Sequence, residues 1–213
     1  MNEWDLQPLL KQRWVEHGLK LNGEQFFLCG EEVMSDWTTN DPQVRWNLPS
    51  IDYMFLDRHG QIWAFELKHR VSGDKDAWSL LSQVSHRALL LRKSFNQEAL
   101  TGVYEALTAS QSLAADHQRH FGLSSPISEF GNDGKIHRMV GALEYGDGFS
   151  DVLRAFERAD LATVRDAVDG YSKASNKEFV RLADLDAREW SNVLGPVIRA
   201  TKVFLDVFPH EAG

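Results

Sequence analysis

Residues 51–68 constrain the fold more than any other stretch of this chain. Ile51–Asp57 and Gln61–Lys68 are two runs of strand-forming residues separated by Arg58-His59-Gly60. In the first run Ile51, Tyr53 and Phe55 alternate with Met54 and Leu56. In the second, Trp63, Phe65 and Leu67 alternate with Ile62 and Ala64. Strands with two apolar faces must be covered on both sides, which predicts a central hairpin inside an α/β sandwich. Such a hairpin has no comfortable place for Asp52, Glu66 or Lys68, because a charge buried between layers is costly unless paired or bound to a metal.

The turn decides whether these charges meet. A three-residue loop ending in glycine suits a type I turn followed by a left-handed residue. That turn pairs Asp57 with Gln61, Leu56 with Ile62 and Met54 with Ala64, and it brings Asp52 opposite Glu66. Opposed residues carry Cβ atoms about 4.5–5.5 Å apart. Two carboxylates that close repel unless a proton or a divalent cation lies between them. Lys68, two residues on, shares the face of Glu66. A cross-strand salt bridge from Lys68 to either acid is the alternative, but one ammonium cannot neutralise two opposed carboxylates.

Helical periodicity frames the hairpin. Asp5–His17 places Leu6, Leu10 and Trp14 on one face and ends at Gly18. Phe26–Met34 is a strand candidate, and residues 35–48 read as a loop. Asp76–Ser94 predicts a helix with Leu80, Val84, Ala88 and Leu91 at core spacing. Gln97–His120 predicts another, and Ile136–Leu143 a further strand. The last hundred or so residues read as largely helical, with Asp186 and Glu189 as a capping box and a kink or break at Gly195-Pro196. No repeat or Gly/Ser/Pro-rich linker divides the chain. A single domain over 1–213 is expected, with a core over 1–145 and a helical extension over 146–213.

The pattern Pro49-Ser50-Ile51-Asp52, thirteen residues, then Glu66-Leu67-Lys68, with an apolar run before and a helix after, resembles the PD-(D/E)XK phosphodiesterase superfamily. The resemblance covers roughly residues 1–145. It implies a restriction-endonuclease-like αβββαβ core, a mixed sheet flanked by helices, with the C-terminal helices outside it. It also implies a nuclease dependent on Mg²⁺ or Mn²⁺, held by Asp52, Glu66 and the backbone carbonyl of Leu67, with Lys68 acting on the attacking water and the scissile phosphate. Hard cations prefer such oxygen ligands. RecB-like members carry Gln-xxx-Tyr in the following helix. Here Gln83 is present and Arg87 stands where tyrosine is expected, so an amide and a guanidinium share one helix face. Gln83 is therefore a catalytic candidate, and Arg87, His69 and Arg70 are substrate-binding candidates. The family often adds an acid from the first helix, for which Glu16 is the candidate.

Charge bears on the partner. The chain has 23 Lys and Arg against 31 Asp and Glu, a net charge of −8, which argues against coating nucleic acid by bulk attraction. Arg58–Lys93, however, carries seven cations against three anions. A polyanion can be held locally there. The expected partner is nucleic acid, DNA ahead of RNA, with a homodimer or a protein partner left open. A nuclease fold without turnover, serving as a nucleic-acid- or protein-binding subunit, is the other reading. Cys29 is the only cysteine, which excludes an internal disulfide, and no apolar run is long enough to span a membrane. With an acidic N-terminus unlike a secretory signal, a cytoplasmic location is the expectation. Asp116, His117 and His120 read as surface residues rather than a metal site, and the seven tryptophans as core packing. No phosphate-binding glycine loop, Gly-x-Ser-x-Gly or His-Glu-x-x-His is present.

Overall fold

A computed structural model of the chain describes residues 3–34, 50–94, 111–128, 130–131, 133–175 and 198–203. Their order is α1 (Glu3–His17), β1 (Leu19–Leu21), β2 (Glu24–Met34), β3 (Ser50–Leu56), β4 (Ile62–Val71), α2 (Asp74–Ser94), α3 (Gln111–Phe121), β5 (Ile136–Tyr145), α4 (Phe149–Arg158), α5 (Leu161–Ser175) and β6 (Ile198–Lys202). The strands form one six-stranded mixed sheet in chain order. β1 to β4 are antiparallel neighbours, whereas β4, β5 and β6 run parallel. No helix among the described residues is long and apolar enough to cross a membrane.

Alternation from Tyr53 onward builds two cores, whereas Ile51, expected on the face of Tyr53 and Phe55, packs in the cluster of Met54 and Leu56. Tyr53, Phe55, Trp63, Phe65 and Leu67 face one layer, where Leu6, Leu10 and Trp14 of α1 cover them. Trp14 meets Tyr53, Phe55 and Phe65 edge-on at 5.0–5.3 Å between ring centroids, an arrangement aromatic quadrupoles favour. Met54, Leu56, Ile62 and Ala64 face the other layer, packed with α2, α4 and α5 through residues such as Leu80, Val84, Phe156 and Val168. The sandwich expected from two-faced apolar strands is present.

Asp57 closes the β3–β4 turn. Gly60 N–H donates to Asp57 O, Gly60 adopts a φ of 76°, and the Asp57 carboxylate accepts the amides of His59 and Gln61. The ladder then pairs Leu56 with Ile62, Phe55 with Trp63, Met54 with Ala64 and Tyr53 with Phe65, the register expected from the turn.

Three elements differ from the sequence reading. The strand expected from Phe26 begins at Glu24 and is preceded by β1, the two joined by Asn22-Gly23 with φ of 52° and 82°. Ile198–Lys202, in the stretch expected to be helical, is β6 and pairs with β5. Its two buried residues, Ile198 and Thr201, stand three apart, so these five residues carry no period-two signal that would set them off from helical neighbours. His117, expected at the surface, is wholly buried, its Nε2 2.9 Å from the carbonyl oxygen of Asp57 and its ring among Phe27, Phe121 and Phe130. The loop over 35–48, the first part of the Gln97–His120 helix, the Asp186 cap and the Gly195-Pro196 break lie outside the described residues.

Candidate active site

The acid pair lies one step beyond the last paired residues of the β3–β4 ladder. Asp52 on β3 is half-buried, and its Oδ2 accepts the Leu67 amide at 2.7 Å. Glu66 on β4 is fully buried. Gln83 Nε2, from the facing side of α2, donates to Glu66 Oε2 at 2.7 Å. Arg87, one helical turn later and only 5% exposed, brings its Nε to 3.7 Å from Glu66 Oε1. That distance is an ionic contact and too long for a hydrogen bond. Glu66 Oε1 and the Arg87 Nε and Nη1 atoms consequently have no hydrogen-bond partner among the described residues.

Electrostatics follow from this geometry. Burial pushes the Glu66 carboxyl well above its ordinary value, and the charge of Asp52 adds to the rise. Arg87 and Lys68 oppose it. A buried carboxyl beside a second acid favours its protonated form unless a cation offsets the charge. An orphaned carboxylate oxygen beside a second acid fits a divalent ion, with water or substrate oxygens completing its shell. Asp52 and Glu66 are the available acidic ligands. Among the described residues no group of three or more His, Cys, Asp or Glu side chains has the arrangement of a metal cage.

The other candidates divide. Lys68 is half-buried and close enough to lower the Glu66 value, and Gln83 and Arg87 both reach Glu66. Arg70 is exposed and pairs with Glu144 at 3.3 Å, and His69 is half-buried beside it on β4. Glu16 is not brought to the acid pair. α1 covers the opposite face of the sheet, where Glu16 is exposed, 3.6 Å from His17 and next to Arg13 and His120. The basic excess over 58–93 is likewise not one continuous face, since Arg87 is buried against Glu66 while Arg58 and Lys75 are exposed.

Two groups at this site escape the sequence reading. His86 on α2 is fully buried with neither ring nitrogen hydrogen-bonded among the described residues. Tyr171 on α5 stacks edge-on to it at 5.7 Å. Their separation of 85 positions leaves no local spacing that could link them.

A cavity of about 480 Å³ opens at the far end of the hairpin, lined by Asp57, His59, Gln61, Trp63, His120 and Arg199 among others. Its main polar groups are already engaged. Asp57 accepts three hydrogen bonds, and Arg199 pairs with Glu24 and lies over Trp63. The unsatisfied charge lies instead at the acid pair. Comparison of the chain with protein-family models, with curated proteins and with solved structures finds no match.

Proposed function

We propose that the protein is a metal-dependent nuclease of the restriction-endonuclease-like kind, hydrolysing phosphodiester bonds of nucleic acid, with DNA as the preferred substrate. The observation that carries this reading is the meeting of Asp52 and Glu66 at the hairpin end with Lys68 and Gln83 around them. Asp52, Glu66 and the Leu67 carbonyl would hold Mg²⁺ or Mn²⁺. A bound ion of this type acidifies a water and offsets charge on a phosphoryl oxygen. Gln83 fixes the Glu66 carboxylate by donating to Oε2, leaving Oε1 for a ligand. Lys68 supplies an ammonium toward the phosphate, where charge develops during hydrolysis.

The same observations support a second reading. Arg87 places a permanent positive charge against the Glu66 oxygen that an ion would use. A guanidinium there is compatible with a nuclease fold that binds without cutting. Cleavage of single- and double-stranded DNA in Mg²⁺ or Mn²⁺, with calorimetric titration of Mn²⁺, separates the two. The nuclease reading expects cleavage that is lost in Asp52→Ala and in Lys68→Ala. Metal-dependent cleavage that survives both substitutions sinks this site assignment. Absence of both Mn²⁺ binding and cleavage favours the binding subunit.

A further inference from the structure

Arg87, His86 and Tyr171 make a second cluster, on the α2 side of the acid pair. Four nitrogens of two residues, Arg87 Nε and Nη1 and His86 Nδ1 and Nε2, are buried without a hydrogen-bond partner among the described residues. A buried polar group left without a partner is costly, so such a concentration needs an occupant or a compensating reason. α5 packs across α2 and brings the Tyr171 ring against His86, while Tyr171 also interacts electrostatically with Arg87, Glu66 and Asp52. The Tyr171 ring thus packs on the orphaned imidazole, within electrostatic reach of Arg87 and the acid pair.

We infer that Arg87, His86 and Tyr171 form an anion subsite between α2 and α5 that takes a phosphate group of a nucleic-acid strand, with α5 as its roof. The chemistry selects an oxyanion. Arginine offers only donors, and a guanidinium matches phosphate oxygens better than a point charge does. Burial holds His86 down to about 3, with Arg87 adding to the fall, so its ring is neutral and presents one N–H. Burial holds the Tyr171 phenol above its ordinary value, so it stays a donor. Glu66 and His86 are fully buried and Arg87 nearly so, while Tyr171 is half-buried, so a phosphate has to enter past Tyr171 on a narrow, flexible strand. Single-stranded nucleic acid or a frayed end meets that requirement better than the side of an intact duplex. The inference rests on the nuclease reading only for the neighbouring acid pair, since the subsite itself contains no metal ligand.

The test is binding without turnover. A short fluorescein-labelled oligothymidylate is titrated in EDTA against wild type, Tyr171→Phe and Arg87→Gln, each checked for an unchanged melting transition. Tyr171→Phe keeps the ring on His86 and removes only the hydroxyl, and it is expected to weaken binding about tenfold. Arg87→Gln is expected to reduce the slope of log K against log salt by about 0.7, the loss of one phosphate contact on a single strand. If Arg87→Gln does not fold, Arg87→Lys replaces it; it keeps the charge and the salt slope, and loss of the guanidinium fork is expected to weaken binding. Binding by Tyr171→Phe within about twofold of wild type, or no binding by wild type, overturns the subsite. Binding that depends on Tyr171 in a protein that neither binds Mn²⁺ nor cuts DNA upholds the subsite and removes the nuclease.

Discussion

Glu66 gives one carboxylate oxygen to Gln83 at 2.7 Å and keeps the other 3.7 Å from the Nε of Arg87. A fully buried acid arranged this way, next to Asp52, holds its proton far more tightly than an exposed glutamate. The apo site is thus electrostatically frustrated, and relieving that frustration has measurable consequences.

Asp52→Asn should stabilise the metal-free protein. The asparagine side-chain oxygen can still accept the Leu67 amide, so the hydrogen bond at 2.7 Å survives while the charge that helps push the Glu66 carboxyl up is removed. The gain expected is about 1–2 kcal/mol, of the size found when active-site strain is removed. Urea unfolding in EDTA measures it. A loss of stability would mean that the two carboxylates do not repel.

Binding of Mn²⁺ should release a proton. Burial and then the Asp52 charge raise the Glu66 carboxyl, which makes it give up its proton less readily, and a metal ligand must be ionised. Titration calorimetry in two buffers of different ionisation enthalpy should give about one proton released per ion, with affinity rising as pH rises. Glu66→Gln should abolish both the release and most of the affinity. Affinity independent of pH would place the ion elsewhere.

Trp14 tests the opposite layer. It is 1% exposed and meets Tyr53, Phe55 and Phe65, the residues alternating with the acid-bearing face of the hairpin. Trp14→Ala should cost about 3–5 kcal/mol in denaturant unfolding, the usual range for emptying a large aromatic site. A cost below about 1 kcal/mol would mean that α1 does not clamp the sheet.

How much of this was readable beforehand depends on the range of the signal. The β3–β4 register was legible because Arg58-His59-Gly60 and two-faced apolar alternation are local, and the ladder they set runs to Tyr53 and Phe65, one step short of Asp52 and Glu66. Gln83 and Arg87 were legible as one helix face, but their convergence on Glu66 depends on how α2 crosses β4. Asn22-Gly23 is itself a strong hairpin signal. With only three residues, β1 carries too little alternation for that turn to mark a hairpin in the sequence. Glu16 fails as a ligand because helical spacing cannot say which face of a sheet a helix will cover. Tyr171 and His117 owe their surroundings to tertiary packing, Tyr171 against α2 and His117 against Phe27 and Asp57.

Glu66 and the buried imidazoles should give the metal-free protein opposing pH limbs. Burial lowers His117 and His86 from their ordinary value of 6.5, His86 to about 3. Below that ordinary value the unfolded chain takes up protons that the folded imidazoles refuse, so stability is lost as pH falls. Glu66 acts in the other sense. Its folded value lies above the ordinary 4.5, so the folded state keeps a proton the unfolded chain releases, and stability is lost as pH rises through that window. The imidazole limb falls toward acid and the Glu66 limb falls toward alkali, so stability passes through a maximum between them. Thermal melts across pH in EDTA should show it. Glu66→Gln should remove the descending limb on the alkaline side, and His117→Gln should flatten the acid limb. If the wild-type melting temperature instead keeps climbing through neutral pH and Glu66→Gln follows it in parallel, Glu66 ionises as an ordinary carboxylate and the acid pair loses its claim on a cation.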